Sequence, residues 1–280
     1  VELFHELVAS FCSSSVVPQW GENGAQSGRQ GEGEGDTFWV LDPIDGTVGV
    51  VSDCEDDQYV IGLALVKGGE PIVGVMGMPN WCNWSLQSAC SSRKGAVMAA
   101  VKGCGTFLLE LDETDGDGDE NGSQRLPRGE AQSVDRANAQ SVREATFLIS
   151  QSQRWDGGAL PIANGLAASN LAPSRVIKGC CGSLTKYAAV ALGCASAYVE
   201  HPKPGTKALK IWDHVSGVIC VTESGGTVTD FAGAPLAFER AATFRPGGMG
   251  VVVSNGNFHE DLVQALAASK QQQQQQEPVD

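Results

Sequence analysis

The chain has 280 residues, 42% of them hydrophobic and 19% charged, an ordinary globular composition with room for two modest domains or one large one. Its formal net charge is -14, and no cluster of Lys and Arg stands out, which argues against a polymeric nucleic acid partner while leaving room for a small phosphorylated ligand held through metal ions. No apolar run reaches the ~18 residues that a membrane span needs.

The first residue is Val1, and neither a basic n-region nor a signal-like apolar run follows it, so the sequence predicts a processed or cut end, with which any targeting segment would have been lost. Apolar residues at Val1, Leu3, Phe4, Leu7, Val8 and Phe11 have the spacing of an amphipathic helix. Residues 13–36, rich in Gly, Ser, Glu and Gln, read as a loop. Phe38 to Leu41 is a short apolar run that predicts a buried strand, with a connection over Val48 to Asp57 beyond it. Two hairpins are predicted next: Tyr59 to Val66 with Pro71 to Met76, and Ala96 to Val101 with Thr106 to Leu109. The acidic, Gly-rich stretch 112–132 reads as a disordered insertion.

A strand over Ala145 to Ser150 opens the second half, and a domain boundary is expected just before it. This gives units 1–144 and 145–268. Helices are expected over Gly157 to Ala168, Leu184 to Leu192, Ile211 to Glu223 and Asn257 to Ala268, and short strands over Ala195 to Val199, Thr227 to Asp230 and Met249 to Ser254. Residues 269–280, with the glutamine run Gln271 to Gln276, read as a disordered tail. Nine scattered cysteines without a Cys-x-x-Cys spacing point to small buried thiols in a reducing compartment, the cytoplasm or an organelle such as a chloroplast or mitochondrion.

The chemistry concentrates where the first strand ends, at Asp42-Pro43-Ile44-Asp45-Gly46-Thr47. Pro43 fixes its own φ and biases Asp42 towards an extended conformation, so a turn here can aim Asp42, the Ile44 carbonyl and Asp45 at one point. That point is all oxygen and carries two negative charges, the environment that Mg²⁺ prefers. Asp, Pro and Gly are also common in plain turns, and the stretch alone leaves both readings open. A second stretch, Lys210-Ile211-Trp212-Asp213-His214, adds a carboxylate at a predicted helix start. There it could cap orphan N–H groups or supply the third acid of a metal site.

Read together, the two stretches resemble the lithium-sensitive, magnesium-dependent phosphatases of the inositol monophosphatase superfamily. The 3′(2′),5′-bisphosphate nucleotidase branch fits best. Phe38 to Thr47 resembles its Phe-Trp-x-Leu-Asp-Pro-Ile-Asp-Gly-Thr, Met78-Pro79-Asn80 its Cys-Pro-Asn, and Ser183-Leu184-Thr185-Lys186-Tyr187 its Ser-Gln-Ala-Lys-Tyr. Lys210 to His214 matches Lys-Ile-Trp-Asp-His in full.

The resemblance implies a layered α/β sugar-phosphatase fold, an αβαβα sandwich with the metal site between two domains. It implies two or three Mg²⁺ ions, with Asp42 bridging two, the Ile44 carbonyl binding one, and Asp45 and Asp213 the other. Asp42, Asp45, Thr47 and Asp213 would be catalytic. Thr47 would orient the attacking water, the Gly46 and Thr47 amides would face the phosphate, Ser183 and Lys186 would lie near the nucleotide, and Lys210 close to the metal motif. The implied reaction converts adenosine 3′,5′-bisphosphate to AMP and phosphate, with 3′-phosphoadenosine 5′-phosphosulfate as a second implied substrate, and links the chain to sulfur metabolism. The alternatives are an inositol phosphate phosphatase and a non-catalytic nucleotide-binding relative.

The departures bear on substrate recognition. Val48-Gly49-Val50 stands where the family has Lys-Gly-Phe, Gln151 to Trp155 replaces a His-Ser-x-His segment, and Glu200 occupies the place of an Arg. The family's Gly-Glu-Glu, which supplies a metal ligand and helps activate water, has no match. Glu32 and Glu34 are the nearby acids, and the missing Glu is expected upstream of the first helix.

Overall fold

The computed structural model describes residues 36–52, 57–81, 95–111, 132–133, 139–151, 153–155, 160–179, 181–201, 208–246 and 250–276, with backbone alone for 132–133 and 270–276. The helix expected over residues 1–11, the loop before Asp36, Glu32 and Glu34, and nearly all of the acidic insertion lie outside these residues.

Six strands form the first sheet as an antiparallel meander in sequence order: β1 (Thr37–Asp45), β2 (Val60–Lys67), β3 (Glu70–Met78), β4 (Ala96–Val101), β5 (Gly105–Glu110) and β6 (Gln132–Ser133). Alternation along β1 turns Val40 and Asp42 inward and leaves Trp39 and Leu41 exposed. Both expected hairpins are present. The second sheet has the order β11-β13-β9-β7-β8, from β7 (Thr146–Ser150), β8 (Arg175–Gly179), β9 (Ala197–Glu200), β11 (Thr227–Asp230) and β13 (Val251–Ser254). In it β7 runs parallel to β8 and β9, and the remaining pairs are antiparallel. β10 (Leu209–Lys210) pairs with β12 (Thr243–Phe244) as a small separate ribbon.

Five helices complete the described architecture: α1 (Thr47–Val51), α2 (Pro161–Ala168), α3 (Leu184–Ala191), α4 (Val215–Glu223) and α5 (His259–Gln276). α3 and α4 lie between the two sheets, while α2 and α5 cover the far side of the second, a β–α–β–α order of layers. The central core joins Val40, Ala64, Met76 and Met98 of the first sheet to Leu184, Tyr187, Val218 and Ile219 of the helices and to Tyr198 and Val253 of the second sheet. A second core packs Phe147, Val199 and Val252 under Leu166, Leu262 and Ala265. Both are buried apolar contacts, the main favourable term in holding layers together.

Several expectations change. β1 does not stop at Leu41 but runs to Asp45, and the expected connection after it begins with helix α1. Gln132, placed in the insertion, belongs to β6. α4 starts at Val215 rather than Ile211, with His214 as its N-cap, so Asp213 lies in the turn before the helix and does not cap it. α5 continues through 269–276, where a disordered tail was expected. Glutamine is a good helix former, and adding residues to an existing helix avoids the cost of nucleation. Cys104 and Cys181 are disulfide-bonded, whereas Cys194 and Cys220 are free. Spacing along a chain does not reveal which cysteines folding brings together. No described helix is long and apolar enough to cross a membrane.

Candidate metal centre

Asp42 and Asp45 are three residues apart, and in a regular strand they would point to opposite faces. The pairing of β1 with β2 slips between them: Asp42 stands opposite Gly62 and Asp45 opposite Val60, so three steps on β1 match two on β2. This bulge turns both carboxylates to the buried side. Pro43 is tolerated because, among the described residues, β1 is an edge strand with no second neighbour to which its nitrogen would have to donate. The Ile44 N–H donates to Asp42 Oδ1 at 3.1 Å and closes the turn, while the Ile44 side chain is exposed.

Asp213 comes from the turn before α4. Its carboxylate meets those of Asp42 and Asp45, with one oxygen from each lying within 4.8 Å of the others. Asp45 is held from a third direction, where the Leu184 N–H at the start of α3 donates to Asp45 Oδ2 at 2.5 Å and the Ser183 N–H also reaches it. Gly182, at φ +80°, lets the chain pass this carboxylate. A Cβ there would lie 2.5 Å from Asp45 Oδ2. Gly46, at φ +81°, plays the matching part on β1, since a Cβ would lie 2.8 Å from the Cys181 carbonyl oxygen.

Burial raises the Asp42 carboxyl above its ordinary value, opposed by the Ile44 N–H and by a hydrogen bond with Asp213. Burial pushes Asp45 up to about 7. The Leu184 N–H opposes the shift, the Asp213 charge adds to it, the Ser183 N–H opposes it, and the Asp42 charge adds a smaller part. A compact set of carboxylate oxygens, two of the three acids buried and Asp213 half-buried, suits a hard divalent cation, whose charge would hold all three acids ionised.

The other expected residues divide into two groups. Thr47, the first residue of α1, is exposed directly after Gly46. Ser183 is half-buried beside Asp45, and Lys210 is exposed with its Nζ 5.1 Å from the centre of the Trp212 ring. Lys186 points inward instead: it is 7% exposed, and its Nζ donates to the Gly182 carbonyl oxygen at 2.8 Å and lies 4.0 Å from Glu200 Oε2. The backbone N–H groups of Ser183 and Leu184 were missed from sequence. A glycine just before a predicted helix was the available signal for them.

Residues 3–275 match the inositol monophosphatase family. An Arabidopsis thaliana protein that carries the name of a mitochondrial 3′(2′),5′-bisphosphate nucleotidase is 36% identical over 243 residues, covering 83% of this chain and 57% of its own length. A 3′(2′),5′-bisphosphate nucleotidase of Schizosaccharomyces pombe is 30% identical over 256 residues, covering 91% and 64%. The chain thus spans less than two thirds of the length of these curated relatives. In structure it is similar to an inositol monophosphatase of Thermotoga maritima, with a TM-score of 0.55 and 22% identity over 85% of this chain and 71% of the other. The three converging acids, the layered fold and the match along nearly the whole sequence make this chain a member of the inositol monophosphatase family.

Proposed function

We propose that the chain is a Mg²⁺-dependent phosphatase that removes the 3′-phosphate of adenosine 3′,5′-bisphosphate, giving AMP and phosphate. In this reading 3′-phosphoadenosine 5′-phosphosulfate is a second substrate, which ties the chain to sulfur metabolism, and the site lies between units 1–144 and 145–268. The observation that carries the chemistry is the convergence of Asp42, Asp45 and Asp213. The names of the relatives support the choice of substrate.

Bound divalent ions supply charge neutralisation at the phosphoryl group, an acidified water and stabilisation of the leaving oxygen. Asp42, Asp45, Asp213 and the Ile44 carbonyl hold them. The N–H groups of Ser183 and Leu184 keep the Asp45 carboxylate in place. The exposed Thr47 hydroxyl orients the attacking water, and the Gly46 and Thr47 amides, with Ser183 and Lys210, face the substrate. Lys186 must leave Gly182 and Glu200 before it can contact a nucleotide. That pairing favours a second reading in which the substrate carries one phosphate, as an inositol monophosphate does.

Phosphate release from adenosine 3′,5′-bisphosphate and from inositol 1-phosphate, with Mg²⁺ and with EDTA, tests both readings. Asp213→Asn should lower the rate by about 10²-fold or more, the scale of losing one electrostatic contact to the reacting group. An Asp213→Asn rate close to wild type at saturating Mg²⁺ would remove Asp213 from the site. Absence of release from either compound would overturn both readings.

A further inference from the structure

Helix α3 touches the acidic cluster at two places. Its first N–H, at Leu184, holds Asp45. Three residues on, the Tyr187 hydroxyl is hydrogen-bonded to His214 Nδ1 at 2.8 Å. The same helix thus grips the β1 acid through a backbone N–H at its N-terminus and, through a side chain about one turn on, the turn that carries Asp213, the neighbour of His214. The Tyr187 ring has no room to settle elsewhere. It is fully buried, stands edge-on to Tyr198 at 5.3 Å and to His214 at 5.8 Å, and lies where any side chain at Gly217 would have to be. His214 is itself fixed edge-on against Phe244 at 5.4 Å.

We propose that Tyr187 is a positioning residue for the metal centre. Through His214 it fixes the Asp213 turn to α3, while Leu184 fixes Asp45 to the same helix, so about one helical turn sets the separation of the two carboxylates. Such a clamp is needed because the ionised carboxylates of buried Asp42 and Asp45 and half-buried Asp213 repel one another until an ion is bound. Tyr187 touches neither ion nor substrate. The inference rests on the reading that the cluster holds Mg²⁺.

The test is Tyr187→Phe in the full chain, which removes one oxygen atom. Mg²⁺ is titrated calorimetrically without substrate, and the Mg²⁺ dependence of phosphate release is compared with the KM for substrate at saturating Mg²⁺. The expected result is a Mg²⁺ dissociation constant raised about three- to tenfold, the scale of one hydrogen bond, with a smaller change in KM. His214→Leu should weaken Mg²⁺ binding similarly. His214→Asn, which can place an amide nitrogen near the position of Nδ1, should recover part of the loss, and this pair carries the test if Tyr187→Phe fails to fold. A lowered Tm with unchanged Mg²⁺ affinity would show a purely structural hydroxyl and overturn the proposal. A wild-type chain that binds no Mg²⁺ would overturn the reading of the cluster as well, a result distinct from wild type and variant binding Mg²⁺ alike.

Discussion

Glu200 sets a carboxylate 4.0 Å from the Lys186 ammonium, and the lysine side chain is far more buried than its partner. Lys186 also holds the carbonyl of Gly182, the residue that packs against Asp45, so its charge sits close to the acidic centre. A substrate with a second phosphate must compete with Glu200 for that ammonium. Glu200→Gln removes the competitor and keeps the shape. It should raise kcat/KM for adenosine 3′,5′-bisphosphate relative to a monophosphate, by about tenfold if one charge-assisted contact is gained. An unchanged ratio would show that Lys186 stays turned inward whatever stands at position 200. The variant should also lose about 1–3 kcal/mol of stability, because a buried ammonium loses a charged neighbour.

At the scale of elements, the site depends on close approaches that the strands and helices make possible. Gly182→Ala would place a methyl group against the Asp45 carboxylate and cost about 1–3 kcal/mol for a left-handed backbone. Gly103→Ala carries the same backbone penalty at φ +77° with nothing within 4 Å of the new Cβ. Both variants should lose thermal stability, but only Gly182→Ala should lose Mg²⁺ affinity, which calorimetry and phosphate release would show side by side. The comparison also marks where the sequence was legible. Apolar runs split by the glycine-containing turns Lys67 to Glu70 and Lys102 to Gly105 announced β2 to β5, and the two Asp-containing motifs announced all three acids. The bulge between Asp42 and Asp45 was hidden, because it exists only in the pairing with β2. The grip of α3 on Asp45 was hidden as well, because it links positions 45 and 184 through backbone atoms that carry no residue signature.

Across the whole molecule, four titratable groups pull acid stability in two directions. Burial lowers His201 and His259 to about 4 and His214, which the Lys186 charge also disfavours in its protonated form, to about 3. Their unfolded value is about 6.5, so their contribution is present above that pH and is lost as pH falls towards 4. Asp45, raised to about 7, acts oppositely: its contribution is full below about 3.8 and is lost as pH rises through 7. Urea unfolding in EDTA should therefore show stability falling between pH 6.5 and 4 less steeply than the histidines alone would make it. Mg²⁺ should add more stability at pH 8 than at pH 5, since it competes with the Asp45 proton. Equal Mg²⁺ stabilisation at both values would separate Asp45 from the metal. One further property follows from α5. Leu262, Ala265, Leu266 and Ser269 are buried, and the helix goes on from them through Gln276. A copy gained or lost within the run would change the reach of the helix by about 1.5 Å and leave the packed register upstream as it is. The repeat behaves as a ruler of adjustable length, its graduations counted downstream of Ser269.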